Sequence, residues 1–259
     1  MLERTERYWR VVGTGLSFFS FGAGGLLMRL LVFPALNLFI RDPQVRMAAA
    51  RHVIRISFRA FIELMRGLGV LRYEIQGQEK LERNGLLILA NHPTLIDTVF
   101  LMAFVKRADC IVKSGLWRNP FTHGPVRAAG YINNEHGPEL IDQCIASLKR
   151  GNNLIIFPEG TRTSRDGAIS LKRGAANIAV RGTRTLTPVV IRCMPPTLGK
   201  GEKWWTVPPR RAHFVIEVKE DIDVQPFIAA TEGEALAARR LTDHLQDYFS
   251  RENTRHAVA

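Results

Sequence analysis

Residues 85–97 read GLLILANHPTLID. Leu86–Ala90 is an unbroken apolar run, short enough for a strand buried on both faces of a parallel sheet. It ends in Asn91-His92-Pro93. Pro93 biases His92 toward extended backbone and suits the first turn of a helix. The stretch therefore predicts strand, loop and helix, with His92 in the loop and Asp97 in the new helix. Ligands of open α/β sheets collect beyond the carboxyl ends of strands. A five-residue separation on one continuous helix would hold the two side chains apart, but across such a turn they can meet. A carboxylate bonded to one imidazole nitrogen fixes the tautomer and stabilises the imidazolium, which leaves the other nitrogen to take a proton. That couple can activate a hydroxyl, a gain of roughly 10²–10⁴ in rate. The same letters also have a structural reading, because Thr94-x-x-Asp97 before an apolar run is a capping-box pattern.

A second element repeats the design. Asn152-Asn153-Leu154-Ile155-Ile156-Phe157 runs into Pro158-Glu159-Gly160-Thr161-Arg162, and Glu159 lies 67 residues after His92. Arg162 can hold a phosphate in a bidentate fork. Gly160 permits close backbone approach, and Thr161 adds a hydroxyl. Glu159 has two candidate tasks, to hold Arg162 or a substrate hydroxyl. Lys172 and Arg173, about ten residues on, add further anion contacts. The structural alternative for this segment is a turn with a surface ion pair.

From residue 73 onward, short β-like runs alternate with helical ones. Strands are expected at 73–76, 86–90, 109–113, 153–157, 187–192 and 213–219. Helices are expected at 95–105, 138–149, 171–181 and 232–249. This alternation predicts an α/β fold with a mostly parallel or mixed central sheet flanked by helices. The stretch 194–211, MPPTLGKGEKWWTVPPRR, reads as a long loop. Its Trp204 and Trp205 beside basic residues suit a membrane interface, and a plain hairpin excursion fits as well.

Before residue 73 the chain is different. Residues 11–40 carry Arg29 as their one charge. The 18-residue run Val11–Met28 is at the lower limit for a span, and an arginine in mid-bilayer costs about 2.5–3.5 kcal/mol. Two apolar pieces broken near Arg29 or Pro34 are expected, as one tilted span or a shallow re-entrant pair, with a buried core helix as the alternative. The apolar stretch continues past any small-residue cleavage site, which argues against a signal peptide. Arg4, Arg7 and Arg10 favour a cytoplasmic N-terminus. Residues 47–69 form a basic amphipathic helix with Arg51, Arg55 and Arg59 at four-residue spacing. That row either meets anionic lipid or packs on the domain. The expected division is residues 1–70 as N-terminal membrane-association helices and 71–259 as the catalytic domain.

Taken together, NHPTLID and FPEGTR resemble the glycerolipid acyltransferase family, which includes 1-acylglycerol-3-phosphate O-acyltransferases. The resemblance covers roughly residues 73–219. LTPVVI, with Pro188, is similar to that family's last block, and SLKRG to the basic segment after its phosphate loop. The resemblance implies His92 as general base and Asp97 as its orienting carboxylate. The hydroxyl attacks an acyl thioester, acyl-CoA or acyl-carrier protein, directly and without an acyl-enzyme. Glu159, Gly160, Thr161 and Arg162 hold the acceptor, with Lys172 beside them. No metal and no further cofactor is implied. The implied setting is phospholipid biosynthesis at the cytoplasmic face of the inner or plasma membrane. The family's third block ends in an arginine, whereas here residues 130–136 read GYINNEH. Arg127 just before the block, or more weakly His136, is the substitute, and the departure leaves room for a lipid or glycolipid hydroxyl other than lysophosphatidate.

The 259 residues bear 36 Lys and Arg against 24 Asp and Glu, a net charge of +12. Residues 1–72 hold +7 of it. So basic a chain calls for an anionic partner. The charge gathers round an apolar segment and no nucleic-acid motif is present, so a membrane surface with a lysophospholipid or other lipid alcohol is expected and nucleic acid is not. A non-catalytic basic protein, binding nucleic acid or membrane, is the contrasting class. No G-x-S-x-G elbow supports a serine hydrolase. The three cysteines, at 110, 144 and 193, have neither disulfide-framework nor zinc spacing.

Overall fold

A computed structural model describes residues 2–119, 122–135, 137, 139–164, 167–183 and 185–254. The strands are β1 (Leu71–Gln76), β2 (Leu87–Ala90), β3 (Ala108–Val112), β4 (Ile132–Asn133), β5 (Asn153–Ile156), β6 (Thr185–Met194), β7 (Ala212–Val218) and β8 (Ile222–Asp223). They form one sheet in the order β1-β7-β6-β2-β5-β3-β4, with β8 paired to β6. Neighbours are parallel except at β6–β7 and β6–β8. The sheet is thus mixed, a parallel block of five strands joined through β6–β7 to a second parallel pair.

The helices are α1 (Leu2–Leu27), α2 (Phe33–Phe39), α3 (Pro43–Gly67), α4 (Asp97–Phe104), α5 (Ser114–Arg118), α6 (His123–Ala128), α7 (Glu139–Lys149), α8 (Gly174–Gly182), α9 (Gln225–Ala229) and α10 (Glu234–Thr254). All four residues of β2 and of β5 are buried, as expected of strands covered on both faces. Ile88 joins a core with Ile54 and Ile62 of α3 and Phe100 of α4. Leu87 and Leu89 point the other way, into a core with Leu148 of α7, Ile178 of α8 and Leu241 of α10. The strand period of two thus assigns one helical layer to each face. Burying each such side chain contributes about 1.5–3 kcal/mol.

The first core runs without interruption across residue 70, so α3 is part of the same packed unit as the sheet. Its arginine row faces the domain. Arg51 Nη2 meets Asp109 at 2.9 Å and its Nε donates to the Ala129 carbonyl at 2.8 Å. Ser147 adds a 2.5 Å hydrogen bond to the same carboxylate. Arg59 lies 5.3 Å over the Phe104 ring.

The first helices depart from the expected break. One helical rod covers 5–39, passing through a π-turn at Met28–Val32 that contains Arg29. The wide turn gives Pro34 clearance from the carbonyl four residues back. It also lets Arg29 seat against Gly124, where a Cβ would come within 3.0 Å of Arg29 Cγ. Thr14 and Ser17 are buried and bond back into α1. Gly13 lies so close to Val70 that a Cβ would stand 3.0 Å from its Cγ2. The Phe18 ring packs 6.2 Å from Phe61, and Phe21 packs 5.8 Å from Phe58. The outer face exposes Trp9, Leu16, Phe19, Leu27, Leu30 and Phe39. The rod's most apolar window has a mean hydropathy of 1.7 and is only 11% buried, so by length and composition it could cross a membrane.

Candidate active site

β2 delivers Asn91 and His92 to the sheet edge where β5 delivers Phe157. Asn91 extends the ladder: its Nδ2 donates to the Ile191 carbonyl at 2.8 Å, and the Ile191 N–H donates to its Oδ1 at 2.7 Å. The next residue is held from the PEGTR side. The His92 N–H donates to Glu159 Oε1 at 3.0 Å, and the Thr163 N–H donates to the His92 carbonyl at 2.7 Å. The Thr163 hydroxyl closes the ring onto Glu159 Oε1 at 2.8 Å. The His92 loop and the PEGTR turn are therefore bonded to one another.

His92 Nδ1 lies 2.9 Å from Asp97 Oδ2, with the carboxylate wholly buried. Asp97 also accepts the Thr94 N–H at 2.6 Å and the Thr94 hydroxyl at 2.5 Å. The capping box is not formed, since the helix starts at Asp97 after Ile96 with no side-chain cap; the carboxylate instead closes the Thr94 turn and meets the imidazole. Nδ1–H toward Asp97 leaves Nε2 as the basic nitrogen. The ring stacks on Phe157, with centroids 4.2 Å apart and planes 27° from parallel, and the side chain stays 17% exposed. Burial pushes the Asp97 carboxyl above its ordinary range, and the bonds from His92 and Thr94 pull the other way. Glu159 is likewise raised by burial, against the pull of Thr163 and the His92 N–H.

Some predicted residues take other positions. Glu159 is buried and turned inward, bound to His92 and Thr163 rather than to Arg162. Arg162 Nη1 donates to the carbonyls of Leu198 and Gly199, at 3.0 and 2.7 Å, across the loop 194–211. Leu198 holds φ at +54°, uncommon for leucine, and its carbonyl also receives the Leu95 N–H at 3.0 Å. Gly160, at φ +68°, lies under Lys172, whose ammonium would be 3.0 Å from an added Cβ. Thr161 is exposed beside them. Arg127 is not brought to this cluster. It projects from α6 into a separate cleft of about 540 Å³ with Arg29 and Arg46. His136 lies outside the described residues.

Sequence reasoning missed Asn91, Thr163, Phe157 and the Leu198 and Gly199 carbonyls. Asn91 carried a signal, a polar residue closing an otherwise apolar strand, whereas a backbone carbonyl leaves none. The loop 194–211 also touches the first helix: Trp204 packs 6.5 Å from Phe18 and edge-on to Trp205 at 5.4 Å.

Residues 72–192 match the family profile described as Acyltransferase. Among curated relatives, the 1-acyl-sn-glycerol-3-phosphate acyltransferase of Pseudomonas aeruginosa is 28% identical over 61% of this chain and 64% of its own length. The Saccharomyces cerevisiae protein of the same name is 29% identical over 52% and 48% respectively. The chain thus spans about half to two thirds of these relatives. Among solved structures, the 1-acyl-sn-glycerophosphate (LPA) acyltransferase PlsC of Thermotoga maritima superposes with a TM-score of 0.69 over 95% of this chain and 98% of that one. At 20% identity this likeness speaks for the fold.

Proposed function

We propose that the chain is a membrane-associated O-acyltransferase, a reading supported by the match of residues 72–192 to the acyltransferase family profile. It moves an acyl chain from a thioester, acyl-CoA or acyl-carrier protein, to the hydroxyl of a lysophospholipid such as 1-acylglycerol-3-phosphate. The observation that carries the reading is the 2.9 Å contact of His92 Nδ1 with a buried carboxylate, at a strand end bonded to the PEGTR turn. In this reading Nε2 of His92 takes the acceptor proton as the oxygen attacks the thioester carbon. Asp97 stabilises the imidazolium. Collapse of the tetrahedral intermediate breaks the carbon–sulfur bond, and the imidazolium returns its proton to the departing thiolate. The Phe157 stack fixes the ring plane through these steps.

Lys172 and the outer part of the Arg162 guanidinium supply positive charge for an anionic acceptor. The exposed apolar face of the 5–39 rod supports a setting at a lipid surface. A different lipid or glycolipid hydroxyl is the second reading. It is favoured by residues 130–134, which carry no arginine, and by the two carbonyls already bonded to Arg162 Nη1.

The test is acyl transfer by purified full-length protein to a panel of lysolipids and lipid alcohols, with labelled acyl-CoA and acyl-carrier protein. His92→Ala should lose transfer by roughly 10²-fold or more and keep its circular dichroism. Near-normal turnover in a folded His92→Ala protein refutes the base assignment.

A further inference from the structure

Cations also gather at the opposite end of the sheet. β2, β3 and β5 are parallel, so His92 and Phe157 mark their finishes while Arg107 and Asn152 mark their starts. For four-residue strands the two ends are roughly 13 Å apart. At the starts, the first half of α3, the turn between α4 and β3, and Arg150 enclose a crevice of about 900 Å³. Met47, Met102 and Val105 give it an apolar floor, and His52, Arg55, Lys106, Arg107 and Arg150 surround it. Arg51 lines it too, already neutralised by Asp109. Lys106 has a distant carboxylate partner, Glu82 at 3.7 Å. Among the described residues, no acidic side chain lines the crevice.

An independent observation points to a ligand. Tyr131 also lines this crevice, is 7% exposed, and its hydroxyl has no hydrogen-bond partner among the described residues. Through Tyr131, Gly130 and Arg150 the crevice adjoins a cavity of about 300 Å³. That cavity is lined by Trp117, whose buried Nε1–H is likewise unpartnered among the described residues. Folded proteins pair nearly all buried polar groups. One buried donor at the cationic crevice, with a second in the cavity beside it, matches an oxygen-rich anion.

We propose that this crevice is a second anion site, separate from the His92 cluster, that binds a phosphate-bearing ligand. The guanidinium groups of Arg55, Arg107 and Arg150 take the phosphate oxygens, for which their geometry is suited. The Tyr131 hydroxyl donates a further bond, and Met47 with Met102 accepts any apolar part. The site does not depend on the acyltransferase reading, because it shares no residue with that cluster.

Two sources supply this chemistry, a phospholipid headgroup and free phosphate. Calorimetry on the full chain in neutral detergent separates them, using dihexanoylphosphatidate below its micelle concentration, inorganic phosphate, and dihexanoylphosphatidylcholine as the comparison. One equivalent of phosphatidate should be lost or weakened about tenfold or more in Arg55→Ala/Arg150→Ala, the loss expected for charge-assisted hydrogen bonds. Tyr131→Phe, which keeps the ring, should weaken the same equivalent. Inorganic phosphate binding as tightly, with the same sensitivity, identifies free phosphate as the source; phosphatidate binding at least about tenfold tighter identifies the headgroup. If the folded double variant keeps every phosphatidate and phosphate equivalent at wild-type affinity, or if phosphatidylcholine binds equally well, the proposal is overturned.

Discussion

Asp97→Asn separates the two tasks of one side chain. Asparagine is nearly isosteric with aspartate. Its oxygen can replace Oδ2, which accepts from both His92 Nδ1 and the Thr94 N–H. Its amide can replace Oδ1, where the Thr94 hydroxyl, now a donor, rotates to accept. The bonds that close the Thr94 turn therefore survive while the charge that stabilises the imidazolium disappears. Acyl transfer should fall by roughly 10²–10⁴, equivalent to about 3–5 kcal/mol of barrier. Stability should move in the opposite direction or not at all. Burial raises the Asp97 carboxyl above its unfolded range, so the native state holds that proton more tightly than the unfolded chain. Its contribution is complete below the ordinary carboxylate range, near about pH 4, and is lost as pH rises through the raised value. Asparagine removes this loss. The assay is transfer rate together with thermal melts from pH 4 to 8. The expected result is a large rate loss, an unchanged or higher melting temperature at pH 7, and a shallower fall of stability with rising pH. Full activity in the variant refutes the imidazolium argument. Inactivity accompanied by a collapsed melt at pH 7 means that the carboxylate serves only to hold the Thr94 turn.

Arg162→Ala removes both the positive charge and the clamp on Leu198 and Gly199. Acceptor KM should rise, and proteolysis within 194–211 should accelerate; unchanged values of both would remove Arg162 from the site. Asp221 is held below the usual carboxylate range by the Arg83 fork, with contacts of 2.6 and 2.9 Å. Its stabilising effect is present above the unfolded carboxylate range and lost as pH falls through the lowered value. Asp221→Asn should therefore flatten the acid limb of a stability–pH curve, and an unaltered limb counts against that linkage. Phe19→Glu/Leu30→Glu, on the exposed face of the first rod, should cut sedimentation with anionic vesicles while leaving the far-UV spectrum unchanged. Undiminished pelleting would mean that this face is not the lipid contact.

The parts legible in sequence are those where local pattern and tertiary role coincide. LILA and the LII that follows Asn153 are apolar because both faces of their strands are covered, and each runs on into polar residues beyond the end of the sheet. The alternation after residue 73 gave the strands and long helices to within a few residues. It missed β4 and β8, whose two residues each are too few for a period to register. At the N-terminus, hydropathy located the apolar rod. It could not show that Arg29 would be accommodated by a π-turn, since that depends on α6 arriving at Gly124 from far along the chain.

The site divides along the same line. His92 and Asp97 are five residues apart, so the turn that joins them could be read from Pro93 and Thr94. Besides the local bond from Thr163 to Glu159, Glu159 and Arg162 have partners 36 to 67 positions away, and composition alone makes both look available to a ligand. The structure gives the Glu159 carboxylate to the His92 backbone and one Arg162 nitrogen to the 194–211 loop. The PEGTR turn therefore does mechanical work on its neighbours before it meets any acceptor. The same loop that receives Arg162 also places Trp204 against Phe18. The apolar rod, the loop carbonyls and the His92 turn thus form one continuous chain of contacts.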